Sequence, residues 1–200
     1  MSANYRSEKL IQLVLAKTEL SFTLQWTAAT FSGFLLSLLF IEIGEKSDMG
    51  VLQAVVGGLA VAVSQSLVLR HHTLSFKWVL STVLGWAVIT AIGIGALGWM
   101  VPTTQQLPLR IFSGLIAGAT GGFGLGFAQW LAIYKLAPSA WRWIFISAVS
   151  WTVAVPVGSV IGSILRQLTQ LYLGEIVGLA ITWLLVAVLT GMKADKLLPR

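Results

Sequence analysis

The stretch Gly114-Leu-Ile-Ala-Gly-Ala-Thr-Gly-Gly-Phe-Gly-Leu-Gly-Phe-Ala-Gln-Trp130 decides the fold of this chain. It carries no charge and lies inside a longer, mainly apolar run from Leu109 to Tyr134. A helix needs about 20 mostly apolar residues to cross a bilayer, so the run predicts a transmembrane helix. Four glycines recur at four-residue spacing and would share one helix face: Gly114, Gly118, Gly122 and Gly126.

The same spacing returns at Gly158 and Gly162 farther along the chain. A face of small residues lets two helix backbones approach closely in lipid, where dispersion contacts replace the hydrophobic drive. We therefore predict that these six glycines form a helix-packing groove. Either a helix of the same chain or a helix of a partner protein could fill it.

The composition is that of a membrane protein. Of 200 residues, 56% are hydrophobic and 10% are charged, with a mean hydropathy of +0.86, whereas soluble domains carry roughly 25% charged residues. The chain has no cysteine, and its 13 Lys and Arg exceed its 7 Asp and Glu. Because these cations cluster at the ends of apolar runs, where they set membrane orientation, we expect no nucleic-acid partner.

Six apolar runs are long enough to cross a bilayer. The predicted fold is an all-α, polytopic membrane helix bundle of about six transmembrane helices, within a domain spanning residues 26–191. The runs lie near Trp26–Ile43, Val51–Leu69, Trp78–Met100, Leu109–Tyr134, Trp143–Leu165 and Leu171–Gly191. Residues 192–200 are predicted to form a short basic cytoplasmic tail.

Residues 1–25 are predicted to form a cytoplasmic N-terminal segment. Within Tyr5–Phe22, the side chains of Leu10, Ile11 and Val14 share one helical face among charged neighbours. An amphipathic helix of this kind lies on the membrane surface. A frayed tail is the alternative.

The cations also predict the orientation of the bundle. With six spans, one side of the membrane receives ten cations: Arg6, Lys9, Lys17, Arg70, Lys77, Lys135, Arg142, Lys193, Lys196 and Arg200. The opposite side receives three, namely Lys46, Arg110 and Arg166. Because positive charge marks the cytoplasmic side, both termini are predicted to be cytoplasmic.

Two segments of the chain match each other. Gly57-Gly-Leu-Ala-Val-Ala-Val-Ser-Gln65 aligns with Gly121-Gly-Phe-Gly-Leu-Gly-Phe-Ala-Gln129. A basic loop follows each segment, and then come tryptophans at equivalent positions, Trp78 and Trp86 or Trp143 and Trp151. The pattern predicts an internal repeat of three helical hairpins that pack together.

The polar candidates inside the spans are few. Gln65 and Gln129 occupy matching positions, and an amide in hydrocarbon needs partners, so each either bridges helices or contacts a ligand. Glu175 is expected at the membrane interface near a helix N-terminus, with a deeper proton or cation role as the alternative. Trp130 either fills a gap between helices or lines a ligand site. We predict no metal site.

The nine tryptophans fall into two groups, five at predicted span ends and four farther inside, namely Trp86, Trp130, Trp151 and Trp183. Indole rings concentrate at membrane interfaces, which predicts an anchoring role for those at span ends: Trp26, Trp78, Trp99, Trp141 and Trp143. No motif for nucleotide binding, zinc proteolysis or serine hydrolysis occurs, and titratable groups inside the spans are scarce. We therefore predict no catalytic residue and no enzymatic activity.

The Gly-rich segment, Gln129-Trp130 pair, basic loop and following tryptophans resemble small uncharacterised multi-pass membrane proteins common in cyanobacteria. The resemblance covers about residues 50–165, and Ser66 stands where the tryptophan of the pair would be. It implies a photosynthetic setting, in a thylakoid or a bacterial plasma membrane. Chlorophyll, carotenoid or lipid would be the bound molecules in such a setting.

Two functions fit these features. The first is a non-catalytic accessory subunit or assembly factor that docks to a larger membrane complex, such as a photosynthetic pigment–protein complex. Its partners would be the lipid bilayer and other membrane subunits. The second is the substrate-binding membrane component of a small-solute transporter.

Overall fold

The computed structural model describes the backbone of residues 2–45, 49–69 and 72–198, and the side chains of residues 18–44, 49–69, 74–195 and 197–198. These parts of the chain form six α-helices: α1 (Ser2–Ser37), α2 (Val51–Ser66), α3 (His72–Ala91), α4 (Leu107–Ile133), α5 (Arg142–Thr169) and α6 (Leu173–Leu197). Two short strands, β1 (Gly44–Glu45) and β2 (Met100–Val101), pair in parallel and join two loops. The predicted all-α bundle is confirmed.

Four of the helices are long and apolar enough to cross a membrane, namely α3, α4, α5 and α6. Helix α2 is apolar but shorter, with 16 residues. Large apolar side chains such as Leu52, Phe76 and Val149 point outward and are exposed. Because a soluble protein rarely exposes apolar surface on this scale, these helices are embedded in the membrane and contact lipid.

Helix α1 runs unbroken over 36 residues, from Ser2 to Ser37. A separate surface helix before residue 26 was expected, but the backbone shows no break there, since no glycine or proline interrupts residues 2–32. At 1.5 Å per residue the helix is about 54 Å long, well beyond the roughly 30 Å hydrocarbon layer. The side chains of the predicted amphipathic face, Leu10, Ile11 and Val14, lie outside the described residues.

Helix α3 ends at Ala91, nine residues before the predicted end of the third span at Met100. Gly93 and Gly95 have φ angles of +88° and +100°, a conformation that glycine adopts without strain. The Ile94 N–H donates to the Ile89 carbonyl over 3.0 Å, as in glycine-terminated helices. Residues 92–106 therefore form a segment that folds back against the bundle.

The other helices end closer to their predicted positions than α3 does. Helix α2 ends at Ser66 where Leu69 was predicted, whereas α5 continues to Thr169, past the predicted Leu165. Helix α6 extends to Leu197, so most of the predicted tail at residues 192–200 is helical. Apolar composition marks the lipid-spanning part of a helix and not its hydrogen-bonded end, so such differences are expected.

The helices pack in chain order, each against the next, and α6 packs against α1. The result is a closed ring of six helices around a central core of aromatic side chains. Such a ring leaves the outer faces of the helices to lipid and the inner faces to each other.

The glycines of α4 contact α5 of the same chain. A Cβ at Gly118 would lie 2.5 Å from the Trp151 carbonyl oxygen, and one at Gly122 would lie 2.7 Å from the Trp151 Cβ. Gly114 and Gly126 likewise face the α5 backbone. The groove along α4 is therefore filled from within the fold.

The glycines of α5 make the corresponding contact with α6. Gly158 meets the Gly178 carbonyl and the Thr182 side chain, and a Cβ at Gly162 would lie 3.1 Å from Glu175 Oε2. Helices α4, α5 and α6 thus form one tightly packed layer. The glycine faces of α4 and α5 are therefore filled by helices of the same chain.

Gly118→Ala is expected to destabilise the protein by about 1–3 kcal/mol, because the added methyl group meets a backbone carbonyl that cannot move freely. Gly124→Ala is the matched control on the same helix. A Cβ there would meet one side-chain methyl group, Ile89 Cγ2, which moves more easily than the backbone atoms that a Cβ at Gly118 would meet. Thermal unfolding in mild detergent measures both, and equal stabilities would contradict the packing described here.

Candidate functional site

Gln65 joins three helices through its side-chain amide. Its Oε1 accepts the indole N–H of Trp78 on α3 over 3.0 Å, and its Nε2 donates to Thr30 Oγ1 on α1 over 3.0 Å. The amide is buried on α2 between these partners. Donor and acceptor ends are both engaged, so this candidate residue bridges helices.

Gln129 makes the same two kinds of contact from α4, two helices later in the chain. Its Oε1 accepts the Trp143 indole N–H over 2.9 Å, and its Nε2 donates to Thr82 Oγ1 over 3.1 Å. The bridge joins α4 to α5 and α3, as Gln65 joins α2 to α3 and α1. Of the two roles open for the glutamines, these contacts support helix bridging over ligand contact.

The contact between α1 and α6 corresponds to the two glutamine bridges but uses a different residue. The Trp26 indole N–H of α1 donates to Thr190 Oγ1 of α6 over 3.1 Å, so a threonine replaces the glutamine. Gln129 also donates to Thr82, which follows Trp78 by four residues. The equivalent residue for Thr190 is Ser147, which follows Trp143 by four residues. Thr190 does not donate to it and donates to the Val186 carbonyl of its own helix. A cavity of about 20 Å³, enough for about one water molecule, lies here beside Ser147 and Thr190.

Tryptophan rings fill the centre of the bundle. Trp26, Trp78 and Trp143 contact one another edge to face, with ring centroids 5.4–6.2 Å apart. A second layer contains Trp86, Trp99, Trp151 and Trp183, in contact at 4.9–6.1 Å. The described side chains thus close the axis of the ring, and a passage along it is not formed.

The predicted anchoring role of Trp26, Trp78, Trp99 and Trp143 is wrong, since all four are buried. Their N–H groups donate inside the fold, as that of Trp99 does to Ser37 Oγ over 2.7 Å. Trp141 is half exposed, as expected of an anchor. Spacing along the chain places an indole near a helix end but does not show whether it turns inward.

Trp130 packs against the side-chain cluster that contains Trp26, Trp78 and Trp143 but does not belong to either ring layer. Its ring contacts Phe127 and Tyr134 of its own helix at 5.5 and 5.8 Å, and it is partly buried. It therefore does not join Gln129 in one site, although the two residues are adjacent in sequence.

A buried ion pair occupies the opposite end of the bundle. Arg110 Nη2 and Nη1 lie 2.7 and 3.1 Å from the two carboxylate oxygens of Glu175. Arg110 also donates to the carbonyls of Thr104, Ser159 and Pro102 over 2.7–3.2 Å. These bonds use all five guanidinium N–H groups. The pair therefore joins α4, α5, α6 and the 92–106 segment.

Glu175 was expected at the membrane interface, and the structure buries its side chain to 2% exposure. Its partner Arg110 was interpreted only as a charge that sets orientation, although its side chain is fully buried. The sequence does hold a signal: opposite charges near the ends of two apolar runs. Their 65-residue separation conceals the pairing.

A cavity of about 610 Å³ lies beside the ion pair. Helices α4, α5 and α6 and residues 93–104 enclose it, with apolar side chains such as Leu97, Val155 and Leu179 on its walls. Glu175 and Ser159 contribute polar groups. The Ser159 hydroxyl is buried and has no hydrogen-bond partner among the described residues.

The cavity follows from the early end of α3. This helix extends 13 residues beyond Trp78, to Ala91, whereas α5 extends 26 residues beyond the corresponding Trp143, to Thr169. The N-terminal half of α4 therefore lacks a helical neighbour on the side that faces α3. The folded-back segment covers that side incompletely.

Comparison with protein-family models, with curated proteins and with solved structures finds no match to this chain. The cavity, the ion pair and the central hydrogen bonds are thus interpreted from their own geometry.

Thr190→Gln is expected to raise stability by about 1 kcal/mol, since the longer amide can accept from Trp26 and donate to Ser147. Thr190→Leu introduces a side chain close in size to glutamine but leaves the Trp26 N–H without its partner. It should lower stability by about 1–3 kcal/mol. Chemical unfolding in detergent measures the difference. A leucine variant as stable as the glutamine variant would show that hydrogen bonding at this contact is unimportant.

Glu175→Leu is expected to cost about 3–5 kcal/mol, because it leaves the buried Arg110 charge unpaired. Adding Arg110→Met should restore part of the loss. Arg166→Met is the control: Arg166 is 39% exposed and lies 3.6 Å from the same carboxylate, so its removal should cost less than about 1 kcal/mol. Equal losses for Glu175→Leu and Arg166→Met would contradict the assignment.

Proposed function

We propose that this chain is a non-catalytic membrane protein that binds a small, mainly apolar molecule, as the substrate-binding component of a small-solute transporter. The cavity beside Arg110 and Glu175 carries the proposal. Its volume of about 610 Å³ lies within the roughly 300–1,000 Å³ of small-molecule sites, and its apolar walls with few polar groups are typical of them.

The charged groups at the cavity support binding over catalysis. Among the described lining residues, Glu175 is the only acid or base, and both its oxygens accept from Arg110. A general acid or base must be able to exchange a proton with the reacting group. A carboxylate held by two guanidinium bonds suits a structural role instead.

The accessory-subunit hypothesis drew on the glycine faces as docking surfaces for a partner. In the fold these faces contact α5 and α6, as at Gly118 and Gly158. They therefore support packing within the chain. Of the expected ligands, lipid suits the cavity better than chlorophyll, because none of the described lining residues is a histidine that could bind a magnesium ion.

The proposal includes the topology. Six helices closed in a ring, with α1 beside α6, favour six membrane crossings with both termini on one side. The cation distribution favours the cytoplasm for that side. The matching bridges at Gln65 and Gln129 support the predicted repeat of three hairpins. The resemblance adds a bacterial plasma membrane or a thylakoid as the expected location.

Ala117→Trp tests the proposal, since Ala117 lines the cavity and an indole there would fill much of it. Native mass spectrometry of the protein purified in mild detergent should find a bound small molecule on the wild type and not on the variant. Leu131→Trp, on the exposed face of the same helix, is the control and should retain the molecule.

Two outcomes would contradict the proposal. Retention of the molecule by Ala117→Trp would place it elsewhere. Co-purification of a stoichiometric partner complex, with no bound molecule on the wild type, would favour the accessory-subunit hypothesis.

A further inference from the structure

We infer that the cavity takes an uncharged single-chain amphiphile, which enters sideways from the bilayer with its head near the Arg110–Glu175 pair. The inference rests on the proposed function and specifies the class of ligand. Three features support it: the side on which the cavity opens, the arrangement of its polar groups, and the saturation of its charges.

The cavity opens toward lipid. Phe112 and Ile116 of α4 line it and are nevertheless 63% and 50% exposed. Both residues lie within a helix apolar enough to cross the membrane. An opening between such side chains faces acyl chains, so molecules dissolved in the bilayer reach it directly.

Polarity falls with depth along the cavity. Glu175, Ser159 and Thr104 line the part near the end of the bundle. Deeper in, the hydroxyls of Thr120 and Thr182 donate to carbonyls of their own helices, over 2.8 Å to Ile116 and 3.1 Å to Gly178. These threonines need no further partner. A bound amphiphile would therefore place its head near Glu175 and its chain inward, as lipids of that leaflet do.

The depth suits one chain of moderate length. On α4 the lining runs from Phe112 to Thr120, eight residues apart, which is about 12 Å along the helix at 1.5 Å per residue. A ten-carbon chain is a reasonable probe for a space of this depth and volume.

The ion pair leaves no charge for an ionic head. All five Arg110 N–H groups are used, two of them on Glu175, so the pair is neutral as a unit. Arg166 is a second cation, 3.6 Å from Glu175 and over the Tyr172 ring, but it is 39% exposed and does not line the cavity. Glu175 is the only charged group among the described lining residues and is already paired with two guanidinium groups, so a charged head would lose its water without gaining a counter-charge from the lining, which is costly.

A hydroxyl head can be satisfied there. Among the described lining residues, Ser159 alone has a buried hydroxyl without a partner, and rotation about its Cα–Cβ bond can direct it toward the cavity. Carboxylate oxygens accept more than one hydrogen bond each, so Glu175 can accept from a ligand in addition to Arg110. One donor and one acceptor match the two capacities of an alcohol.

Photolabelling tests the inference. Decanol, decanoate and decylamine, each with a diazirine at the chain end, are irradiated with the full-length protein in nanodiscs, and adducts are mapped by mass spectrometry. Labelling of the inner wall of the cavity, at Leu97, Val155 and Leu179, is divided by labelling around the exposed Val149. This ratio corrects for how much of each probe enters the bilayer.

The alcohol should give a ratio at least about tenfold above those of the acid and the amine, because of the cost of burying a charge. Ser159→Ala should lower the alcohol's ratio about fivefold through loss of one hydrogen bond. Ser150→Ala is the control, since Ser150 bonds to its own helix and does not line the cavity. Ala117→Trp should abolish cavity labelling and leave that at Val149.

Each contrary result has a distinct meaning. Equal ratios for the three heads would overturn the uncharged class but keep the proposed binding function. A higher ratio for decanoate would overturn it in favour of an anionic amphiphile. Cavity labelling no stronger than surface labelling for every probe would overturn the proposed function as well.

Discussion

Inside a membrane a polar group must find its partner within the protein, because hydrocarbon offers none and an unpaired group costs several kcal/mol. Five buried indole N–H groups meet this constraint, those of Trp26, Trp78, Trp99, Trp143 and Trp183, whereas that of Trp86 has no partner among the described residues. Trp78 and Trp143 donate to the amides of Gln65 and Gln129, and Trp26 donates to Thr190. The three bonds join α2 to α3, α4 to α5 and α6 to α1, so pairing the indoles also fixes how these helices meet.

Close packing completes what the hydrogen bonds begin. Apolar side chains gain little by leaving lipid for the protein interior, so helices associate through short backbone contacts and dispersion. Gly118 and Gly122 permit such contact with α5, and Gly158 permits it with α6. The glycine faces and the tryptophan layers are complementary, because backbones approach on one side of a helix while large rings fill the axis on the other.

The cavity lies where this regular arrangement is interrupted. Helix α3 stops at two glycines with positive φ, and the segment after it covers α4 only in part. Arg110 holds that segment through the carbonyls of Pro102 and Thr104 while pairing with Glu175. The same side chain thus holds a non-helical segment against the bundle and pairs with Glu175, which lines the cavity. Proteins often depart from their own regularity at functional sites.

The sequence by itself determined the solvent and the class of fold. Apolar composition, run length and glycine spacing are local properties, and lipid requires helices of any chain that has them. It also singled out Gln65, Gln129 and Glu175 as the polar groups in need of partners, although the partners themselves were not identified. The sequence wrongly predicts that Trp26, Trp78, Trp99 and Trp143 anchor the protein at the membrane interface, because their partners inside the fold are not visible in it.

Only the tertiary structure decided which groups meet. Arg110 and Glu175 are 65 residues apart, and nothing local to either one reveals the other. The end of α3 at Ala91 follows from the backbone angles of Gly93 and Gly95, which an apolar run conceals because glycine serves equally in helix packing and in turns. The cavity depends on both features. It is a property of the space between helices, and such space is formed by contacts that composition and spacing do not encode.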